Sequence, residues 1–435
     1  MSSCESSSPH KHLLISPIAY AADGYARVKG IAALMTTFGV GELSAINGIA
    51  GSYAEHVPIV HIVGQPTMAV QRSGATLHHT LGDGDFDVFA DMNSRVSCAV
   101  VKITNPADAP AQIDGALEAC WTQARPVYIG LPSDLAKAPV DGAERLRTPL
   151  QLDLPANDPD TESEMVEAVA TALRRARHPV LVVDCAVIRR RAVAEVRAMC
   201  DALPIPVYTT LMGKGVVDEA SPRFGGVYCG RASVDVVRAR IEEESDLVLL
   251  LGPVRTDLNT GVFTAHIDPR KLIRFDADSV RVKQCVFPDL HLPRSLHALH
   301  THLLRHPDLV ANSHALDVRR EPATVADSTV ITHRWLWSHL SSWFRTGDVI
   351  VGEMGTAMFG VSDATTPPDT TVVSQVLWGS IGYSVGACQG AALGLRDSDS
   401  PRSARRTVLF VGDGSFQVTG QELSSIIRHG LKPIM

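Results

Sequence analysis

The chain has 435 residues, 45% of them apolar and 20% charged, and a formal net charge of 40 − 47 = −7; this ordinary globular composition excludes a disordered, collagenous or coiled-coil chain. At roughly 150 residues per domain the length predicts two or three domains, each able to bury its own core. Mild acidity argues against nucleic acid or an anionic membrane as partner, and the densest basic runs, Arg189 to Arg191 and Arg402 to Arg406, read as solvated helix faces or loops.

From Ile31 short β-rich runs alternate with amphipathic helical stretches, the pattern of parallel sheets covered by helices. IAALMTT predicts a strand, Gly39 and Gly41 a turn, Glu42 to His56 a helix with Leu43, Ile46, Ile49, Ala50 and Tyr53 at helical spacing, and PIVHIVG a second strand. PVYIGL, from Pro126, closes a first unit within residues 1–150. Residues 150–163, interrupted by Pro155 and Pro159, predict a linker. A second unit, 160–310, carries PVLVVDC from Pro179, a helical stretch through Arg197, PVYTT from Pro206, DLVLLLG from Asp246 and LIRFDAD from Leu272. A polar stretch, Arg305 to Ser328, precedes a third unit from 325 to 435. It holds DVIVGEMG, a helical run from Ser380 to Leu395, TVLFVGDGS from Thr407 and a helix from Gln421 to His429. The expected class is α/β, with three doubly wound parallel-sheet domains. LKPIM reads as the opening of another buried strand, so the third unit is expected to be incomplete.

No apolar run reaches the ~18 residues of a membrane helix, and MSSCESSSPHKHLL lacks the pattern of a secretory signal, so a cytoplasmic protein is expected. The eight cysteines, without a C-x-x-C, read as reduced thiols filling cores.

VLFVGDGS opens a strand directly into Gly412-Asp413-Gly414-Ser415, with a helix expected a few residues later. Two glycines let backbone N–H groups approach an anion, Ser415 adds a hydroxyl, and Asp413 is a hard oxygen ligand for a Mg²⁺ bridging to a diphosphate. A plain strand-to-helix turn explains the same residues. The neighbours His78 and His79, in LHHTLGDGDF, can shuttle protons near neutrality or simply lie on the surface. GEMGTAMFG places glycines around Thr356 after a strand, either to close over phosphate or to turn. The glycines of SIGYSVGACQGAALG read as close helix packing. The nicotinamide, P-loop and nucleophile-elbow fingerprints are all absent.

Taken in order, AYAADGYARVKG (19–30), TTFGVGELSAINGIAGSYAEHVPIVHIVGQP (36–66), LHHTLGDGDF (77–86), RPVYIGLP (125–132), MGKGVVDE (212–219), SQVLWGSIGYSVGA (374–387) and VLFVGDGSFQ (408–417) resemble the thiamine diphosphate-dependent 2-oxo acid decarboxylases, closest to the eukaryotic type of pyruvate decarboxylase. The resemblance implies a pyrimidine-binding domain, a central domain and a diphosphate-binding domain. It also implies active sites shared between two subunits of a homodimer or homotetramer. Thiamine diphosphate and Mg²⁺ are the implied cofactors, a 2-oxo acid the substrate, and non-oxidative conversion of pyruvate to acetaldehyde and CO₂ the reaction. His78 and His79 match the proton-handling pair. Asp413 matches the first Mg²⁺ ligand, with Gly412, Gly414 and Ser415 around the diphosphate. Thr356 matches a cofactor-contacting threonine, Gly379 the residue whose carbonyl meets the aminopyrimidine, and Ile381 the wedge that bends the cofactor. Met354 stands where a threonine is usual.

Met1 to Ile18 do not resemble the family's first strand and helix, so the first unit is expected to lack its N-terminal part before about residue 19 and to be incomplete like the third. Two departures shape the expected activity. Ile15 occupies the position of the glutamate that activates the cofactor, with Glu5 too far away to replace it. The family's next metal ligand, an asparagine, and a glutamate after it would fall beyond Met435. Losing an acid–base group costs ~10²–10⁴ in rate, so weak cofactor binding and little turnover are expected. The alternatives are a non-catalytic paralogue that pairs with an intact decarboxylase, an incomplete gene model, or an indolepyruvate decarboxylase, whose branch shares LHHTLGDGDF.

Overall fold

The computed structural model describes residues 15–142, 147–310, 330–398 and 405–435, without the side chains of residues 15 and 16; Cys4, Glu5 and Arg402 lie outside the described residues. The apolar, β-branched runs form three sheets. The first is parallel throughout: β1 (Ala32–Thr37), β2 (Ile59–Gln65), β3 (Ala99–Lys102) and β4 (Val127–Pro132) lie in the order β1-β2-β4-β3, with Ala32 opposite Ile59 and Val60 opposite Val127. The central sheet comprises β5 (Pro179–Val183), β6 (Val207–Thr210), β7 (Phe224–Tyr228), β8 (Leu247–Leu251), β9 (Leu272–Phe275), β10 (Ser279–Val282) and β11 (Cys285–Pro288), ordered β11-β10-β9-β8-β5-β6-β7. It departs from the expected all-parallel pattern, because β9, β10 and β11 run antiparallel along one edge. Interior strands buried on both faces, such as LVLLL in β8, read as unbroken apolar runs; the edge hairpin, half wet, does not.

In the third sheet β12 (Val349–Gly352) lies between β13 (Thr371–Val373) and β14 (Thr407–Phe410), all parallel. Ile434 adds a parallel bridge to Val408, as the apolar LKPIM suggested.

The glycines of the helix Tyr383–Arg396 do serve packing. A Cβ on Gly390 would lie 1.8 Å from the carbonyl oxygen of Ala21, and one on Gly24 would lie 2.0 Å from that of Ala387. The helix Ile15–Lys29 therefore lies against the Tyr383–Arg396 helix at backbone distance, joining the first sheet unit to the third.

Arg189 to Arg191 are not a solvated face. Arg191 lies with its guanidinium 3.4 Å from the ring centroid of Trp121 and donates to the Trp121 carbonyl; Arg190 donates to that of Thr122 at 2.9 Å; and Arg189 reaches within 4.0 Å of the buried Glu55 carboxylate. The triplet clamps the central unit to the first, a use that composition cannot reveal. The described end of the other basic run is also engaged, Arg406 pairing with Asp348 at 2.6 Å. Cys120, Cys185, Cys229 and Cys388 fill cores as expected, whereas Cys285 is exposed on the edge hairpin. No helix among the described residues is long and apolar enough to cross a membrane.

Candidate functional site

In the third sheet the chain leaves β12 toward β13 on one side and returns to β14 on the other, so strand order reverses between β12 and β14. The carboxyl ends of strands at such a reversal border a crevice where ligands bind in open α/β sheets. Two of the motifs end up there. Thr356 follows β12 at the start of the helix Thr356–Asp363, and Gly412 to Ser415 follow β14. The helix expected a few residues after GDGS begins at Asp413 itself, with Gly412 in extended backbone as its N-cap.

Cβ atoms placed on Gly355, Gly412 and Gly414 would meet nothing within 4 Å, so both loops border open space. Asp413 and Thr356 are exposed. Bare backbone, two hydroxyls and a carboxylate form a hard, oxygen-rich set suited to a diphosphate with a Mg²⁺-type ion. Among the described residues no cluster of three or more His, Cys, Asp or Glu side chains could hold a metal, so Asp413 is the one acidic ligand this loop supplies. The residues present fit the group through this loop.

The segment before the Tyr383 helix carries Gly379 and Ile381. Gln375 shapes it, accepting from the Gly379 N–H at its carbonyl (3.1 Å) and from the Ser380 N–H at Oε1 (2.8 Å). Gly379 has φ +65°, and the methyl end of Met354 would sit 2.8 Å from a Cβ there. Met354 therefore fills space under this turn. Ile381 is exposed.

His78 and His79 lie together on the first unit, both exposed, their ring centroids 4.7 Å apart and 6.0 and 5.6 Å from that of Phe38. The structure thus sets two candidate half-sites apart, the imidazole pair on one unit and the Thr356, Gly379 and Asp413 loops on another. Among the described residues no hydrogen bond or ion pair joins His78 or His79 to the third unit.

Three buried acids behind these half-sites were missed from sequence. Glu42 accepts from the Gly39 N–H at 2.8 Å and from Asn93 Nδ2 at 3.1 Å; burial raises its pKa, against the hydrogen bonds from Gly39 and Tyr128. Its signal was legible as a glutamate at the third position of a helix that bonds back to the N-cap. Glu353, directly after β12, accepts from the Ser384 N–H and Oγ and from the Gly382 N–H, and so anchors the start of the Tyr383 helix. Glu55 accepts from the Leu377 and Trp378 N–H groups while facing Arg27 at 3.6 Å. Arg27 bonds Asp23 at 2.6 Å, and Asp23 also accepts from Ser52 and from the Tyr383 hydroxyl. Lys214 and Glu219 of MGKGVVDE form a buried pair at 2.8 Å, and Lys214 donates to the Ala364 carbonyl, so this motif docks the central unit on the third.

Comparison with known proteins finds three family profiles along the chain: the thiamine pyrophosphate enzyme N-terminal TPP binding domain at residues 18–87, the central domain at 166–303, and the C-terminal TPP binding domain at 351–435. The chain is 46% identical over 422 residues to a pyruvate decarboxylase of Aspergillus terreus and 47% identical over 416 residues to one of Aspergillus fumigatus, in each case covering 96% of this chain and 72% of the relative. It is 43% identical over 418 residues to pyruvate decarboxylase isozyme 2 of Saccharomyces cerevisiae, covering 95% and 73%.

Proposed function

Because the chain belongs to the thiamine diphosphate-dependent pyruvate decarboxylase family, carboxy-lyases that use thiamine diphosphate with Mg²⁺, we propose that it releases CO₂ from pyruvate at a site built by two copies of itself. The observation that carries this reading is the separation of the half-sites: the imidazole pair and the diphosphate loops each border open space, on different units of one chain. Exposed apolar side chains flank both, Val40 (52%) and Leu81 (61%) beside the histidines, Ile381 (50%) and Val418 (55%) beside the loops. Apolar surface concentrated in this way supports burial against a second copy. A cytosolic location is part of the same reading.

In this reading the Gly412 and Gly414 backbone, Ser415 and Thr356 hold the diphosphate, and Asp413 ligates the Mg²⁺. The Gly379 carbonyl would hold the aminopyrimidine and Ile381 would support the cofactor. When bound, the cofactor supplies the electron sink that lets CO₂ leave. A ring nitrogen of His78 or His79 carries the proton delivered to the substrate-derived carbon, and the apolar rim excludes water. Ile15, at the start of the first helix, has no proton to exchange, so turnover is slow, by about 10²–10⁴ relative to a chain with an acid there.

The test is acetaldehyde release from pyruvate, followed by coupled NADH oxidation with thiamine diphosphate and Mg²⁺ present. Slow release is expected from the native chain. Asp413→Ala should lower it at least about 10²-fold through lost metal binding, His79→Ala about 10²-fold or more, and Ile15→Glu should raise it. No acetaldehyde from either the native chain or I15E, or native rates in both D413A and H79A, would overturn the proposal.

A further inference from the structure

Neither imidazole of the His78–His79 pair is held by a side-chain hydrogen bond among the described residues, yet their rings sit 4.7 Å apart at 78°. Their placement has to come from the backbone beneath them. His79 is in the left-handed region at φ +65°, a conformation unfavourable for a residue with a Cβ. Its carbonyl rests on Gly39, where a Cβ would lie 1.9 Å from the His79 oxygen and 2.9 Å from its carbonyl carbon.

Gly39 is itself constrained, at φ +61° and ψ −104°. Its N–H is taken by Glu42 Oε1 at 2.8 Å, and its carbonyl accepts the first helical bond from Leu43 at 2.9 Å. The second Glu42 oxygen accepts from Asn93 Nδ2 at 3.1 Å, and the same amide nitrogen donates to the Phe89 carbonyl at 2.9 Å. Phe38, immediately before Gly39, packs on both imidazoles and is tied to β2 through the Gly64 carbonyl at 3.1 Å.

We propose that Glu42 is the positioning residue of the His78–His79 pair, acting through the backbone of Gly39 and the ring of Phe38; this rests on the reading of that pair as the proton-handling groups. The carboxylate fixes the left-handed Gly39, Gly39 gives the His79 carbonyl its seat, and Phe38 sets the pitch of both rings. Removing the acceptor frees Gly39 to rotate, and the pair loses its floor. A glutamine keeps the bond from Gly39 through its side-chain carbonyl oxygen and gives up only the one from Asn93, whose amide still donates to the Phe89 carbonyl.

The test uses full-length protein labelled with ¹³C-histidine, comparing the imidazole resonances and the kinetics of Glu42→Leu, Glu42→Gln and Gly39→Ala. In E42L the His78 and His79 signals should leave their positions beside the Phe38 ring and move toward those of solvent-exposed histidine. There kcat should fall about 10- to 100-fold with KM within about twofold. E42Q should keep the native signals, with kcat within about threefold of native. Gly39→Ala, which changes no charge, should displace the His79 signal and decides the matter should E42L fail to fold. Native imidazole signals in E42L, or in G39A where E42L does not fold, would overturn the proposal. Displaced signals in E42L alongside native turnover in H78A and H79A would uphold the positioning while refuting the proton role.

Discussion

The central sheet and its two neighbours are stabilised by different means. Around β8 an apolar cluster running from Met165 to Val310 covers one face, and a second cluster containing Val180, Tyr208 and Ile241 covers the other. The outer units have smaller cores and complete them against each other, through two helices that meet at Gly24, Gly386 and Gly390 and through the buried Asp23, Arg27 and Glu55. Apolar burial is non-directional and grows with area, whereas buried ions demand one geometry and penalise every other. The central unit is thus apolar on both faces of its own sheet and keeps its buried ions, Lys214–Glu219 and Arg189, where it docks on the outer units, whose own junction is set in register by charge.

The sharpest way to break this division is Arg27→Ala. It leaves Asp23 with hydroxyl donors only and Glu55 with the more distant Arg189, and breaking a buried pair typically costs about 3–5 kcal/mol. Calorimetry should show the outer units melting together and early while the central transition stays in place. An equal shift of both transitions would mean that the units are one cooperative body. Leu249→Ala makes the converse cut. Leu249 is fully buried in the larger central cluster, and its truncation should lower the central transition by about 3 kcal/mol, leaving the outer units unmoved.

The same division explains what could be read in advance. β1, β2, β4, β5, β6, β8, β9, β12 and β14 were legible as apolar runs because burial on one or both faces is written locally. The strands of the central sheet's two flanks were not: FGGVY in β7 carries two glycines, and SVRV in β10 alternates with Arg281 in the manner of many surface loops. His78, His79 and Asp413 were legible because each lies in a short motif. Glu55 and Glu353 were not, since what makes them matter is a partner far away in sequence, Leu377 for one and Ser384 for the other. Arg189 to Arg191 misled for the same reason, their carbonyl and ring partners lying on another unit.

A smaller effect tests whether the charge rule holds where an acid has no hydrogen-bond partner among the described residues. Glu422 is fully buried at the start of the helix Glu422–Arg428, and neither carboxylate oxygen has a hydrogen-bond partner among the described residues. Burial pushes its pKa up from 4.5 to about 7. The folded state then binds more protons than the unfolded state between about pH 4.5 and 7, so this group's contribution is complete at low pH and is lost as pH rises through 7. The half-buried His56 and the buried His61, lowered to about 4, mainly by burial, act in the opposite sense, their share being lost as pH falls below 6.5. The difference between native protein and Glu422→Gln removes the histidine contribution. That difference should shift by about 2–3 kcal/mol in favour of the glutamine between pH 5 and pH 8, read from urea midpoints of the outer transition. A difference that is flat across this range would mean that the carboxylate finds a donor when ionised, and that the unpaired acid is as well accommodated as the paired acids of the junction.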